Sequence, residues 1–247
     1  MADQKATVKQ TQTWLRTLGF YNAPLSIDGD WGPGSIKALS ALMASTMSPS
    51  KPFGVNKLAW GVKFTPAEIA RVKQMIANLR WPAEAIQWVM GCIAFETGRS
   101  FSPAQTNGIG ATGLIQFIPP TAIVYFNSAK AIQAMSVEEK KAAGREACAR
   151  LGKMTVLEQL DYVEKYFTPY AGRVNSLADL YMSILYPVAV GKPDNWVLWD
   201  KLKKPTTYSQ NAGLDMNLDG TVTKAECAHR VTNLLIEGFI GNNVKVY

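Results

Sequence analysis

No run of apolar residues in this 247-residue chain approaches the ~20 needed to cross a bilayer. The opening stretch, Met1–Thr7, also lacks the apolar core of a secretory signal. The expectation is a chain made in the cytosol that stays soluble and crosses no membrane unaided. Cysteine is scarce, and Cys92, Cys148 and Cys227 stand far apart. Such a scattered, odd-numbered set fits buried, reduced thiols better than a disulfide frame, and it has no paired metal spacing. Dense charge runs are missing as well. The net charge of +7 points to an anionic partner, whether nucleic acid, membrane surface or wall polymer, but Lys and Arg are spread too evenly to choose one. Sustained two-residue alternation is absent, so no large sheet is expected. No repeat recurs at a solenoid period.

What the chain does carry is helix signals. Val8, Leu15 and Leu18 recur at near-helical spacing before Gly19, a plausible stop. A loop dense in turn formers covers Asn22–Gly34, and a second helix from about Ser35 should bury Ile36, Leu39 and Met43. Residues 44–64 hold Ser, Pro and Gly without periodicity and read as a linker. Beyond it, Thr65-Pro66-Ala67-Glu68 combines a cap, a first-turn proline and a capping-box Glu. Pro82 can open the next helix, with Ile86, Val89, Met90 and Ile93 as its apolar stripe. Capping-box spacings return at Ser136/Glu139 and Thr155/Glu158. Leu157, Leu160, Tyr166 and Phe167 then make a buried face, and Asn175 caps a helix running toward Pro187. The fold class is all-α, in two parts.

One carboxylate stands apart. Glu96 ends the helix that holds Ile86 and Ile93, and Gly98 can supply a left-handed cap behind it. Exposed carbonyls and the negative dipole end disfavour charge there, and Phe95 adds desolvation. Both raise the pKa and keep a protonated acid near neutral pH, the form that a glycosidic leaving oxygen needs. A lone Glu at a helix end is usually solvated, so the residues that follow matter. They read Gly110-Ala-Thr-Gly-Leu-Ile-Gln-Phe-Ile-Pro-Pro-Thr-Ala122.

With Glu96-Thr97 before it, this segment resembles the soluble lytic transglycosylases and the related goose-type lysozymes. In those proteins Glu-Ser, Gly-Ala-x-Gly-Leu-Met-Gln and Pro-x-Thr-Ala occur in the same order. The resemblance implies that Glu96 is the single catalytic acid/base and that Gln116 lines the cleft beside the broken bond. It also implies that Gly110 and Gly113 let the backbone approach the glycan, with Ile115 lining the same cleft. The family's later Tyr falls in the region of Tyr181 and Tyr186, but without its Asn-Ala-Gly. Both tyrosines are therefore weak candidates for which core packing is the competing role. Asn107 replaces a Ser common in the family, and these departures look like a phage-type branch. No Asp or Glu lies between Gly98 and Val137, although folding could bring in Asp161, Glu164 or Asp179 as the second acid of an ordinary glycosidase.

Residues ~5–45 resemble the three-helix peptidoglycan-binding module, through Leu18-Gly19-Phe20 and the Asp28-Gly29 and Gly32-Pro33 turns. Trp31 could stack on a sugar or plug the small core. Near the end, Asp215, Asn217, Asp219, Gly220, Thr221, Thr223 and Glu226 match the twelve-residue EF-hand loop. The ligands would be Asp215, Asn217, Asp219, the Thr221 carbonyl and Glu226, with Thr223 acting through water. Oxygen-only donors argue for a structural Ca²⁺. The segment Lys204–Gly213 is too poor in helix formers to supply the usual entering helix, and Cys227 and His229 pack rather than ligate.

The expected architecture is a peptidoglycan-binding module with linker over residues 1–59 and a lysozyme-like catalytic domain over 60–247, with the calcium loop at 215–226. The resemblance implies an endolysin cleaving the MurNAc-GlcNAc β-1,4 bond by a lytic transglycosylase mechanism. A hydrolytic muramidase on the same scaffold and a non-catalytic wall-binding tail protein are the alternatives. It further implies peptidoglycan as partner, no nucleic acid, no stable membrane insertion and a monomer. Access to the periplasmic wall would come through a holin pore or with the virion.

Overall fold

The structure, a computed structural model, describes residues 2–22, 24–46 and 57–246. It is all-α: eleven α-helices, six 3-10 helices of three residues and four strands of two to four residues make up the regular structure of the described residues. The chain begins with α1 (Ala2–Thr17) and α2 (Pro33–Thr46). Gln12 of α1 organises the loop between them. Its amide nitrogen donates to Asp28 Oδ1 at 2.8 Å and to the Asp30 carbonyl at 2.9 Å, while Gly29 N–H donates to its oxygen at 3.0 Å. Gly29 has φ +85°, and a Cβ there would lie 2.9 Å from the Lys5 carbonyl. The Asp28-Gly29 turn therefore needs glycine twice over, for conformation and for space.

The expected buried face of α2 is displaced by one residue. Ser35, Ala38 and Leu42 are buried, whereas Ile36 and Leu39 are half-buried and line a cavity shared with Trp88; the Met43 side chain lies outside the described residues. The reason is that this helix pair has a second neighbour. Trp31 sets its ring edge-on to His229 with centroids 4.8 Å apart, and the Thr11 hydroxyl donates to the Asn233 side chain. Its first helices and the rest of the chain share one continuous core.

Part of the expected linker is core. Strand β1 (Lys57–Leu58) pairs antiparallel with β4 (Lys245–Val246), and Leu58, Ala59, Trp60 and Phe64 are buried. Gln87 ties this segment down, accepting from Ala59 N–H at 3.0 Å and donating to the Lys57 carbonyl at 2.8 Å. The helical body therefore begins by Lys57 rather than at 60, because four apolar residues among the prolines and glycines outweigh the loop composition. Residues 47–56 of the expected linker lie outside the described residues.

Helix α3 (Pro66–Asn78) starts at the Thr65/Glu68 capping box. Pro82 forms a turn ahead of α4 (Ala85–Glu96) instead of its first residue, with Ala85 N–H bonded to the Pro82 carbonyl at 2.9 Å. Every residue of α4 from Ala85 to Ala94 is buried, so this helix is the centre of the fold rather than an amphipathic surface helix. The helices α5 (Pro119–Ala122), α6 (Ala129–Ala134), α7 (Val137–Leu151) and α8 (Val156–Phe167) follow, and both expected capping boxes are formed, at α7 and α8. On α8, Leu160, Val163 and Phe167 are buried, but Leu157 is 40% exposed and Tyr166 is half-buried. Helix α9 (Leu177–Leu185) is capped by Ser176, one residue after the expected Asn175.

The remaining elements are β2 (Val197–Asp200), α10 (Pro205–Asn211), β3 (Thr221–Thr223) and α11 (Lys224–Glu237). Helix α10 corrects the expectation for Lys204–Gly213: Pro205 at its first position needs no N–H partner and starts the helix despite poor propensity. α11 packs most extensively on α4. Gly91 permits the crossing, since a Cβ there would lie 3.0 Å from that of Leu235. Among the described residues no helix is long and apolar enough to cross a membrane.

Candidate active site

Glu96 is the last residue of α4, and the chain turns immediately behind it. Thr97 Oγ1 donates to the Ile93 carbonyl at 2.6 Å and accepts from Phe101 N–H at 3.0 Å. Gly98 takes φ +56°, the left-handed turn that its sequence position suggested. Among the described residues no donor reaches the Glu96 carboxylate, and burial alone pushes its pKa up to about 7. One turn earlier on α4, Cys92 is fully buried, and its thiol is raised by burial and then by Glu96.

The carboxyl group faces a cleft of about 290 Å³ whose lining includes Phe95, Ile115, Gln116, Tyr166 and Tyr181. Tyr181 reaches it from α9 and packs edge-on against Phe95, with centroids 5.5 Å apart. Burial, and secondarily Glu96, holds the Tyr181 phenol well above its ordinary pKa. Tyr186 turns away and packs between Trp196 and Trp199, so of the two tyrosines only Tyr181 belongs to the site. Tyr166 was missed as a site residue because its spacing matched the apolar stripe of α8. Its hydroxyl donates to the Ser183 carbonyl at 3.0 Å, linking α8 to α9 across the cleft. The one available signal was a phenol among aliphatic positions.

The loop between Gln105 and Phe117 is shaped by backbone bridges from Thr112 to Thr106 and to Phe117. Gln116 has φ +52°, and its amide nitrogen donates to the carbonyls of Gln105 (3.0 Å) and Gly113 (3.1 Å). Its amide oxygen accepts no bond from the described residues. Asn107 lines the cleft and organises the loop, since its side-chain oxygen accepts from Ile109 and Ala111 N–H at 3.0 and 3.1 Å. Gly113 does not line the cleft. Its φ is +94°, and a Cβ would sit 2.4 Å from Gln159 Oε1. The glycine makes room for Gln159, which accepts from Leu114 N–H at 2.6 Å, rather than for a ligand. Gly110, with φ +81° and an ideal Cβ no closer than 4.0 Å to Pro119, is a conformational requirement alone. Trp31 lies outside this cleft, against His229.

None of the three candidate second acids reaches Glu96. Asp161 and Glu164 pair with Arg71 at 2.8 and 2.6 Å. Asp179 pairs with buried Lys224 and accepts from Gly191 N–H at 2.7 Å. Among the described residues lining the cleft, Glu96 is the only carboxylate.

In the loop 215–226, Gly220 makes the sharp turn at φ +87°. Asp215 is fully buried: Oδ2 accepts from Tyr208 (2.7 Å) and Gly220 N–H (3.0 Å), and Oδ1 is buried without a partner. Glu226 accepts from Met216 N–H at 3.0 Å and closes the Thr223 capping box. Asn217, Asp219 and Thr221 bond to one another at the exposed rim. Among the described residues no group of three or more His, Cys, Asp or Glu side chains is placed to hold a metal ion. Strand β3 pairs with β2, with Trp199 opposite Val222. Burial pushes His229 down to about 4 and Cys227 up to about 12, so both pack as neutral groups.

Comparison with family models, with curated proteins and with solved structures found no match to this chain.

Proposed function

We propose that this chain is a peptidoglycan-degrading enzyme, an endolysin with a lysozyme-like catalytic domain that cleaves the MurNAc-GlcNAc β-1,4 bond as a lytic transglycosylase. The observation that carries the reading is a carboxyl group whose pKa is about 7, at the wall of a cleft where, among the described residues, it has no hydrogen-bond donor and no second acid beside it. Half-protonated at neutral pH, Glu96 can give its proton to the bridging oxygen and take one back. The N-acetyl group of the muramic sugar whose C1–O bond breaks stabilises the cation that develops at that carbon, while the electron pair leaves with the bridging oxygen. Glu96, now a base, removes the proton of the 6-hydroxyl, and that oxygen closes a 1,6-anhydro ring. The Gln116 oxygen and the Tyr181 hydroxyl are the polar groups that would position the sugar, and Ile115 and Phe95 keep the site dry. Ordinary two-acid hydrolysis needs a second carboxylate across the bond, and Asp161, Glu164 and Asp179 are committed to cations elsewhere. Mass spectrometry of digested wall tests this: 1,6-anhydro ends are expected, reducing ends would make the enzyme a muramidase, and intact strands would leave a wall-binding protein. The wall would be reached through a holin pore or with a virion.

The residues around Asp215 fit a hard cation. A buried carboxylate oxygen without a donor is costly, and Asp215 Oδ1 is one. Asp215, Asn217, Asp219, the Thr221 carbonyl and Glu226 would hold a Ca²⁺ that supplies charge neutralisation to this loop and takes no part in bond breaking. At about 100-fold excess of calcium over Kd, binding should raise Tm by roughly 5–10 °C. Glu226→Gln should lose most of that gain and melt almost unchanged in EDTA. An equal loss in calcium and in EDTA would remove the ion assignment.

A further inference from the structure

Beside the Glu96 cleft lies a second groove, and the two share one lining residue. Ile109 is 76% exposed and lines both spaces. The groove, about 410 Å³, is floored by Pro119, Pro120 and Ile123, with Ile132 and Val137 as walls. Helix α7 lies directly on this floor because Gly144 has no side chain; a Cβ there would stand 2.7 Å from the Pro119 carbonyl. That close approach brings Lys140, Lys141 and Arg145 to the rim, all exposed. Lys141 is engaged by Glu138 at 2.9 Å. Among the described residues no carboxylate pairs with Lys140 or Arg145. An apolar floor beside uncommitted cations suits a ligand with small aliphatic groups and more than one carboxylate.

We infer that this groove binds the acidic peptide stem of the wall strand, with the stem's methyl groups on the proline–isoleucine floor and its carboxylates on Lys140 and Arg145. The inference rests on the glycan-cleft reading above. A strand lying over Glu96 places the peptide of a neighbouring muramic sugar beside Ile109, and the stem is short, alanine-rich and anionic. An anionic lipid headgroup would meet the same cations, but the Ile109 wall shared with the Glu96 cleft favours the stem.

The test is titration of the full chain with N-acetyl-L-Ala-D-Glu-meso-diaminopimelate, followed by calorimetry. Saturable binding is expected, weakened about tenfold in Lys140→Glu/Arg145→Glu. On wall strands the same variant should raise KM for stem-bearing glycan and leave KM for strands stripped of peptide, and kcat for both, unchanged. Both positions are exposed, so an unaltered Tm shows that the variant folds. No binding by the wild-type chain, or equal losses on both strands, would overturn the inference. So would binding to phosphatidylglycerol vesicles that the peptide cannot displace. Peptide binding without cleavage of either strand would instead retain the groove and remove the enzymatic reading.

Discussion

Glu96→Gln is expected to lower wall-degrading turnover about a thousandfold while binding to purified wall persists. The magnitude follows from losing both the acid and the base, with no other carboxylate among the described residues of the cleft to substitute. Turnover of the native chain should fall as pH rises through about 7, where the acid form is lost. The same change should reveal a stability cost. The folded-state pKa is raised from 4.5 to about 7, so the favourable neutral state is fully present below pH ~4.5 and is lost as pH rises through ~7. Above that, an ionised Glu96 in its buried place costs on the order of 2–3 kcal/mol. Gln does not ionise. The variant should match the native chain in denaturant at pH 4.5 and exceed it at pH 8. Native-like turnover, or no difference in stability between the two pH values, would refute the role of this group.

The largest loss of stability is expected from Lys224→Met. Lys224 and Asp179 are both almost wholly buried, and the ammonium also donates to the Lys192 carbonyl at 2.6 Å. Removing one partner leaves an uncompensated carboxylate inside the protein, at a cost of about 3–5 kcal/mol. Asp179→Asn in the same chain should recover much of it, because the amide carries no charge to strand. Urea denaturation of the two variants checks this; a loss below about 1 kcal/mol for Lys224→Met would mean that the pair behaves as a surface one. The pair joins the end of the 215–226 loop to the helix that carries Tyr181, so the single variant should also weaken the cleft.

Local signals in the chain located three helix starts. Thr65, Ser136 and Thr155 all form the boxes that their spacing implies, because a cap depends on four consecutive residues. Glu96, Gln116, Ile115 and Tyr181 were also legible, and they line one cleft. What failed was whatever depended on a distant neighbour. The role of Gly113 is set by Gln159, forty-six residues away. Trp31 is placed by His229, and Ile36 and Leu39 face a cavity that α2 alone does not define. Tyr166 shows the same limit from the other side: its apolar spacing was real, yet the stripe's edge opens on the cleft.

The burial of α4 on all sides from Ala85 to Ala94 has an engineering consequence. Glu96 ends a helix buried from Ala85 to Ala94, and nudging that helix would disturb neighbours on every flank. Redesign of the cleft should therefore leave this rod alone. Changes belong in the Gln105–Phe117 loop, which supplies Asn107, Ile115 and Gln116 to the cleft lining, with Ile115 and Gln116 themselves kept.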